Sequence, residues 1–197
     1  MEVLSNKWQV IYKKEVLALL IATTTFFLIN IVKQPLAFEA QALYIPETTA
    51  FIPLLCLPHG IRIIMTWYFG WRAIIYLFFA SLLTISLTMS QQSLSPLLLL
   101  FCLMTASIPY ITFYLFNLGG WDLYKLKNIK PEKKWHALVL VGIVSALLNA
   151  FVIHVILSGY IMPDKAVDTI LFYIIIDTIC AISFMAACAY MNSIRKT

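Results

Sequence analysis

Five polar or ionisable side chains stand out inside long apolar stretches of this 197-residue sequence: His59, Arg62, Asn149 and Asp177, together with His154 close to a predicted outer helix end. A charge at the centre of a membrane helix costs about 2.5–3.5 kcal/mol on insertion scales, so such groups usually face one another or a polar cavity. Imidazole, guanidinium, amide and carboxylate groups can pair charges, share protons or bind a small polar molecule. We therefore expect the first four residues to form either a ligand site or a set of internal contacts.

The sequence contains no motif that is typical of a catalytic or metal site. Nucleophile-elbow, zinc-protease and phosphate-loop patterns are missing, and there is no carboxylate pair. The cysteines stand singly in apolar segments, without the spacing of a zinc site or a disulfide framework; they are Cys56, Cys102, Cys180 and Cys188. We predict a protein that is not an enzyme and that uses no metal or cofactor.

The elements that carry the polar residues are predicted to be membrane helices. The chain is 62% hydrophobic and 12% charged, whereas a soluble domain has about 45–50% apolar and about 25% charged residues. Since about 20 residues span the hydrocarbon core, the pattern predicts an all-α, polytopic transmembrane bundle of about six helices. An interfacial segment, 1–14, would precede a single domain, 15–197. The predicted helices are 15–32, 48–69, 73–90, 97–118, 135–157 and 168–191.

Prolines are expected to interrupt two of these helices. Pro58 and Gly60 flank His59 in the second predicted helix, and Pro109 lies inside the fourth. Proline removes a backbone donor and clashes with the preceding turn, and glycine weakens a helix further. We predict a kink or break at Pro58–Gly60 and a second helix break at Pro109.

Basic residues predict how the chain is oriented. With the N-terminus inside, eleven Lys and Arg residues lie on the inner side and only Lys33 and Lys165 on the outer side, Arg62 not being counted. The positive-inside rule then places both termini in the cytoplasm, in a bacterial inner membrane. We expect the net charge of +5 to orient the chain and to contact anionic lipid headgroups, and not to bind nucleic acid. Trp67 and Trp71 lie near predicted inner helix ends, where an aromatic belt forms.

The polar residues are predicted to share one layer of the bilayer. Counting about 1.5 Å per residue from the outer helix ends places Asn149 and Asp177 roughly 12–13 Å deep, His59 roughly 16 Å and Arg62 roughly 21 Å. One interpretation is a pocket in which Arg62 and a helix N-terminus near Gly60 attract an anion. Another interpretation is internal pairing of Arg62 with Asp177, with hydrogen bonds from Asn149 and His59 nearby. A proton path or a contact with a partner helix is a third.

The stretch LPHGIR at 57–62, followed by FGWR at 69–72, resembles part of the MASE1 family of bacterial membrane sensor domains. That family has a Pro-x-Gly element and then a Gly-x-Arg turn between two helices, and the resemblance covers roughly residues 48–85. It implies a sensory, ligand-detecting role. MASE1 domains usually precede a kinase or cyclic-dinucleotide domain, whereas this sequence ends after the sixth predicted helix, so the signal would pass to another subunit.

These features favour an integral inner-membrane protein of sensor-like or accessory type that acts through a partner membrane protein. An alternative is a small-molecule transporter or its substrate-binding subunit. The six predicted helices are similar in number to the substrate-binding subunits of energy-coupling-factor vitamin transporters, and Ala18-x-x-x-Ala22 resembles their docking motif. A further alternative is a structural subunit of a larger membrane complex. The expected partners are the lipid bilayer, another membrane protein and a small-molecule ligand, but not nucleic acid.

Overall fold

The computed structural model describes residues 58–88, 95–128, 131–157 and 166–194, together with eight helical residues between 16 and 28. Every regular element in these ranges is a helix, and the described residues contain no strand. The all-α prediction is thereby confirmed for this part of the chain. The elements are α1 (Pro58–Phe69), α2 (Arg72–Thr88), α3 (Pro96–Leu118), a 3-10 helix (Leu123–Asn128), α4 (Pro131–Leu157) and α5 (Ala166–Ile194).

Three of the described helices are long and apolar enough to cross a bilayer. These stretches are Pro96–Leu118 with 23 residues, Lys134–Ile156 with 23 and Ala166–Met191 with 26. The helices α1 and α2 are shorter, with 12 and 17 residues. Six spans and the interfacial segment 1–14 stay predictions, because residues 1–15 and 29–57 lie outside the described part of the chain.

Prolines and their neighbours set where two helices begin. Ser95 has an extended backbone, and its Oγ accepts a hydrogen bond of 3.2 Å from a backbone amide in the first turn of α3. Pro96 follows as the first helical residue, a position where its missing N–H costs nothing. Pro131 opens α4 four residues before the predicted start at Trp135. Hydropathy marks the apolar part of a helix but not the polar turn that precedes it.

A two-residue turn joins α1 to α2. Gly70 has a φ of 60°, a left-handed conformation that glycine adopts without steric cost. Its amide donates a 2.8 Å hydrogen bond to the carbonyl of Thr66 and thereby closes the end of α1. Because the turn is so short, α1 and α2 lie in contact.

Pro109 does not break α3, which runs without interruption from Pro96 to Leu118. The predicted break at this residue is therefore wrong. Nearby hydroxyls of Thr105 and Thr112 donate to the carbonyls of Cys102 and Ile108 in the same helix at 3.3 and 2.9 Å. At Pro58 the described helix begins with the proline itself, so a kink there stays a prediction.

Trp67 lies inside the protein and not in a lipid-facing belt. It is only 3% exposed, and its indole Nε1 donates a 3.3 Å hydrogen bond to the carbonyl of Leu123. Lys134 Nζ lies 5.3 Å from the centroid of its ring. The 3-10 helix and the start of α4 thus cover the end of α1. Trp71, in contrast, is 57% exposed, as a residue of an aromatic belt would be.

The cysteines depart from the prediction at one position. Cys180 on α5 is disulfide-bonded, whereas Cys102 and Cys188 are free. The expectation of a chain without a disulfide is therefore wrong for Cys180. Spacing along the sequence does not reveal which single cysteines the fold brings together.

The short helix α1 lies among the other helices and contacts α2, α3, α4 and α5. Ile63 joins a buried cluster with Phe113 of α3 and Val141 of α4. Ile61 and Leu77 belong to a second cluster, formed with α2. Because α1 is enclosed in this way, the polar residues that it carries face other helices.

Candidate functional site

The start of α1 places two of the predicted site residues in the interior. Pro58 is the first residue of the helix, so His59 lies in the first turn. Arg62 follows three residues later, which is a neighbouring position on the same helix face. Both side chains are only 1% exposed, and their polar atoms must therefore find partners within the bundle.

One face of α4 and one face of α5 bring further polar groups to α1. Ser145 and Asn149 on α4 are four residues apart and buried, and Tyr173 and Asp177 on α5 repeat this spacing. Residues four apart on a helix lie on the same face. The two polar faces therefore meet each other inside the bundle.

The Asp177 carboxylate is the meeting point of three helices. Asn149 Nδ2 donates a 2.6 Å hydrogen bond to Asp177 Oδ2, and His59 Nδ1 lies 3.7 Å from the same oxygen. On the other side of its ring, His59 Nε2 lies 3.4 Å from the carbonyl oxygen of Gly142. One carboxylate oxygen thus joins α1, α4 and α5.

Arg62 interacts with this group through its charge. The Asp177 carboxylate stabilises the positive charge of the Arg62 guanidinium, and Arg62 in turn disfavours a positive charge on His59. Such interactions are stronger in an apolar interior than in water. We call His59, Arg62, Asn149 and Asp177 the polar cluster.

The polar cluster contains its own anion. Asp177 lies beside His59, at the start of the described part of α1. The pocket interpretation expected the helix N-terminus and Arg62 to attract an anion from outside. Among the described residues the ion-pair contact of Asp177 within 4 Å is with His59 and not with Arg62, so direct pairing of Arg62 with Asp177 stays a prediction.

Two glycines allow the helices to approach closely around the cluster. A Cβ atom added at Gly60 would lie 2.6 Å from Phe184 Cβ, and one added at Gly142 would lie 3.0 Å from Ala181 Cβ. Small residues at helix contacts permit such close backbone approach in membranes. Gly60, expected as the start of a half-helix near a ligand, is in the structure a packing position against α5.

Several buried polar atoms in or near the cluster have no hydrogen-bond partner among the described residues, including His59 Nδ1, Ser145 Oγ, Asn149 Oδ1 and the Tyr173 hydroxyl. Tyr173 also lies close enough to Asp177 to interact with its charge. Unsatisfied buried groups are uncommon in proteins and often mark a bound water, ion or ligand. Ser145 and Tyr173 were missed from the sequence, although each lies one helical turn from a predicted residue.

The donor set suits proton and hydrogen-bond chemistry better than metal binding. Within the described ranges no three His, Cys, Asp or Glu side chains come together as metal ligands do. The polar cluster offers a single carboxylate, and Arg62 beside it cannot act as a ligand. The imidazole and the carboxylate can exchange a proton, and the unsatisfied hydroxyls can bond to a small polar molecule.

Comparisons with known proteins assign the chain to no family. No protein-family model, curated protein or solved structure matches it at a significant level. The resemblance of segments 57–62 and 69–72 to MASE1 sensor domains stays a prediction.

Proposed function

We propose that this chain is a non-enzymatic, membrane-embedded subunit of sensor-like or accessory type, in a bacterial inner membrane with both termini cytoplasmic. It acts through a partner membrane protein, and the polar cluster is its responsive element. The supporting observation is that Asp177 Oδ2 accepts the hydrogen bond of Asn149 and lies beside His59. A change in the charge or bonding of one carboxylate would alter how three helices are held together.

The helix α5 is the route that we propose toward the partner. Asp177 and Ala181 lie on its buried face, and the exposed positions include the small residues Ser183, Ala186 and Ala187. Small residues let a second helix approach closely in a membrane. We assign this exposed face to a transmembrane helix of the partner, so that a movement of α5 at the cluster reaches it directly.

A substrate-binding subunit of a transporter is the second candidate function. It is favoured by the unsatisfied Ser145 Oγ, Asn149 Oδ1 and Tyr173 hydroxyl. A small polar molecule with both donors and acceptors would satisfy all three atoms. In this alternative, the cluster binds a substrate and does not signal to a partner.

Native mass spectrometry of the protein extracted in mild detergent tests the proposal. We expect a stoichiometric partner to remain bound to the wild type and to be lost in Ala187→Phe. The matched control Ile175→Phe also adds a phenyl group to the exposed surface of α5, but far from the small residues, and should retain the partner. We further expect Asp177→Asn, which keeps the shape of the side chain, to change the retained fraction.

The other functions give different outcomes. A structural subunit would retain its partner in Asp177→Asn whenever the variant is folded. A substrate-binding subunit would carry a bound small molecule that Asn149→Leu releases. If Ala187→Phe and Ile175→Phe bind the same proteins in the same amounts, the proposed partner face is wrong.

A further inference from the structure

We propose that His59 and Asp177 hold one proton between them, so that the polar cluster is a proton-binding site. The inference deepens the proposed function, because it identifies the proton as the ligand that is sensed. The sensing role of this site rests on the proposed function. The proton site itself is argued only from the contacts of these two side chains.

The Gly142 carbonyl fixes the proton on one nitrogen of the His59 ring. Its oxygen lies 3.4 Å from Nε2, and a carbonyl oxygen can only accept a hydrogen bond. Nε2 must therefore carry a hydrogen for this contact to be favourable. A neutral ring in this orientation has a bare lone pair on Nδ1.

The other side of the ring then requires a second proton. Nδ1 lies 3.7 Å from Asp177 Oδ2 and has no hydrogen-bond partner among the described residues. A bare Nδ1 facing an ionised carboxylate would place two acceptors against each other in an apolar interior. Either an imidazolium donates to the carboxylate, or the carboxylic acid donates to a neutral ring. Both forms contain the same single proton and differ only in its position.

Groups on the neighbouring helices limit the site to one proton. Burial and, from α1, the charge of Arg62 both oppose a positive charge on His59, so a second proton, leaving an imidazolium beside a neutral acid, is disfavoured. From α5, the Tyr173 phenol interacts with Asp177, and from α3, Cys102 interacts with Arg62.

Among the described residues, Asp177 and Arg62 are the charged groups that act on His59. On α4, the buried polar side chains Asn149 and Ser145 do not titrate. In the described part of α2 no charged group contributes to the field at His59. The number of protons at this site therefore depends on burial, Asp177 and Arg62 together.

The shared proton is placed where it can influence helix packing. His59 is followed by Gly60, whose position against Phe184 leaves no room for a Cβ. Loss of the proton would leave a lone pair and a negative charge facing each other beside this tight contact. The start of α1 would then be pushed away from α5, the helix that carries the proposed partner face.

Solid-state 15N NMR of the full chain in lipid nanodiscs, labelled at its three histidines, tests the inference. The signal that His59→Gln removes belongs to His59. Near neutral pH we expect either protonation of both ring nitrogens, or Nε2 protonation together with a carboxylic-acid C=O band in the infrared spectrum that Asp177→Asn removes. In Asp177→Asn the ring should be neutral and carry a proton on Nε2 alone, whichever form the wild type adopts. Thr112→Val, which changes a buried hydroxyl outside the cluster, should leave the His59 signal unchanged.

A neutral His59 together with an ionised Asp177 in the wild-type protein would overturn the inference. The wild-type spectra alone decide this, so the test does not depend on the folding of a variant. The spectra are also independent of any partner. If the spectra show one shared proton but mass spectrometry finds no partner, only the proposed function is rejected. If mass spectrometry finds the partner but the spectra show a neutral His59 and an ionised Asp177, only the proton site is rejected.

Discussion

Asn149 on α4 donates a 2.6 Å hydrogen bond to Asp177 on α5, and both residues are buried. The two helices extend for 27 and 29 residues and are apolar along most of their length. Apolar side chains fit against one another in many relative positions, but an amide and a carboxylate form a hydrogen bond in only one. This pair therefore fixes the register of α4 against α5.

Replacing Asn149 with leucine should destabilise the bundle by about 1–2 kcal/mol. Hydrogen bonds to charged groups contribute about 1.5–3 kcal/mol in proteins generally, but between membrane helices they average about 0.6 and reach about 1.7 kcal/mol. The matched control is Thr112→Val, whose hydroxyl bonds only within its own helix. Reversible unfolding in detergent micelles measures both. Equal losses in the two variants would contradict a register role for Asn149.

It was predictable that His59, Asn149 and Asp177 come together, but their individual contacts were predictable only in part. Counting residues along apolar segments placed His59, Asn149 and Asp177 in one layer, because a helix has a fixed rise per residue. The buried position of Trp67 was not predictable, since a helix that is apolar on all sides does not reveal which face meets lipid. The Gly142 carbonyl was missed because main-chain atoms carry no sequence signal.

Arg62 and Asp177 should behave as a coupled pair. Removing one member of a buried charge pair costs about 3–5 kcal/mol, because the other charge stays buried. Arg62→Met and Asp177→Asn should each reduce stability strongly. Their double variant should be more stable than the sum of the two losses predicts, by about 0.5–3 kcal/mol. Unfolding of the four proteins under one condition gives this coupling energy. Strictly additive losses would show that Arg62 is stabilised by other groups.

Gly60→Ala should disturb the contact between α1 and α5. The new Cβ would lie 2.6 Å from Phe184 Cβ, an atom fixed to the backbone, so the helices themselves must separate. Overpacking of this kind costs about 1–3 kcal/mol. Gly119→Ala is the control, because its nearest neighbour would be a carbonyl oxygen at an ordinary 3.4 Å on an exposed position. A thermal unfolding series that leaves Gly60→Ala as stable as Gly119→Ala would refute this close contact.

Tyr124 should be among the last tyrosines to ionise. Burial raises the pKa of its hydroxyl to about 12, and Tyr110 and Asp122 act in the same direction. The folded state thus holds this proton more tightly than the unfolded state, whose pKa is about 10. The resulting stability is fully present below about pH 10 and is lost as the pH rises toward 12. Ultraviolet titration of the phenolate should show a late step that Tyr124→Phe removes, and loss of an earlier step instead would contradict the assignment.

Lys125 and Val167 should lie on opposite sides of the membrane. Lys125 precedes α4 and has an 82% exposed side chain, and Val167 follows α4 at the exposed start of α5. Because the stretch Lys134–Ile156 between them is long enough to cross the bilayer once, a single crossing separates them. A membrane-impermeant maleimide should label Val167→Cys in spheroplasts and Lys125→Cys only after permeabilisation, above the background of the native cysteines. The reversed pattern would keep the crossing but reject the orientation given by the basic residues. Labelling of both from outside would show that α4 does not span the membrane.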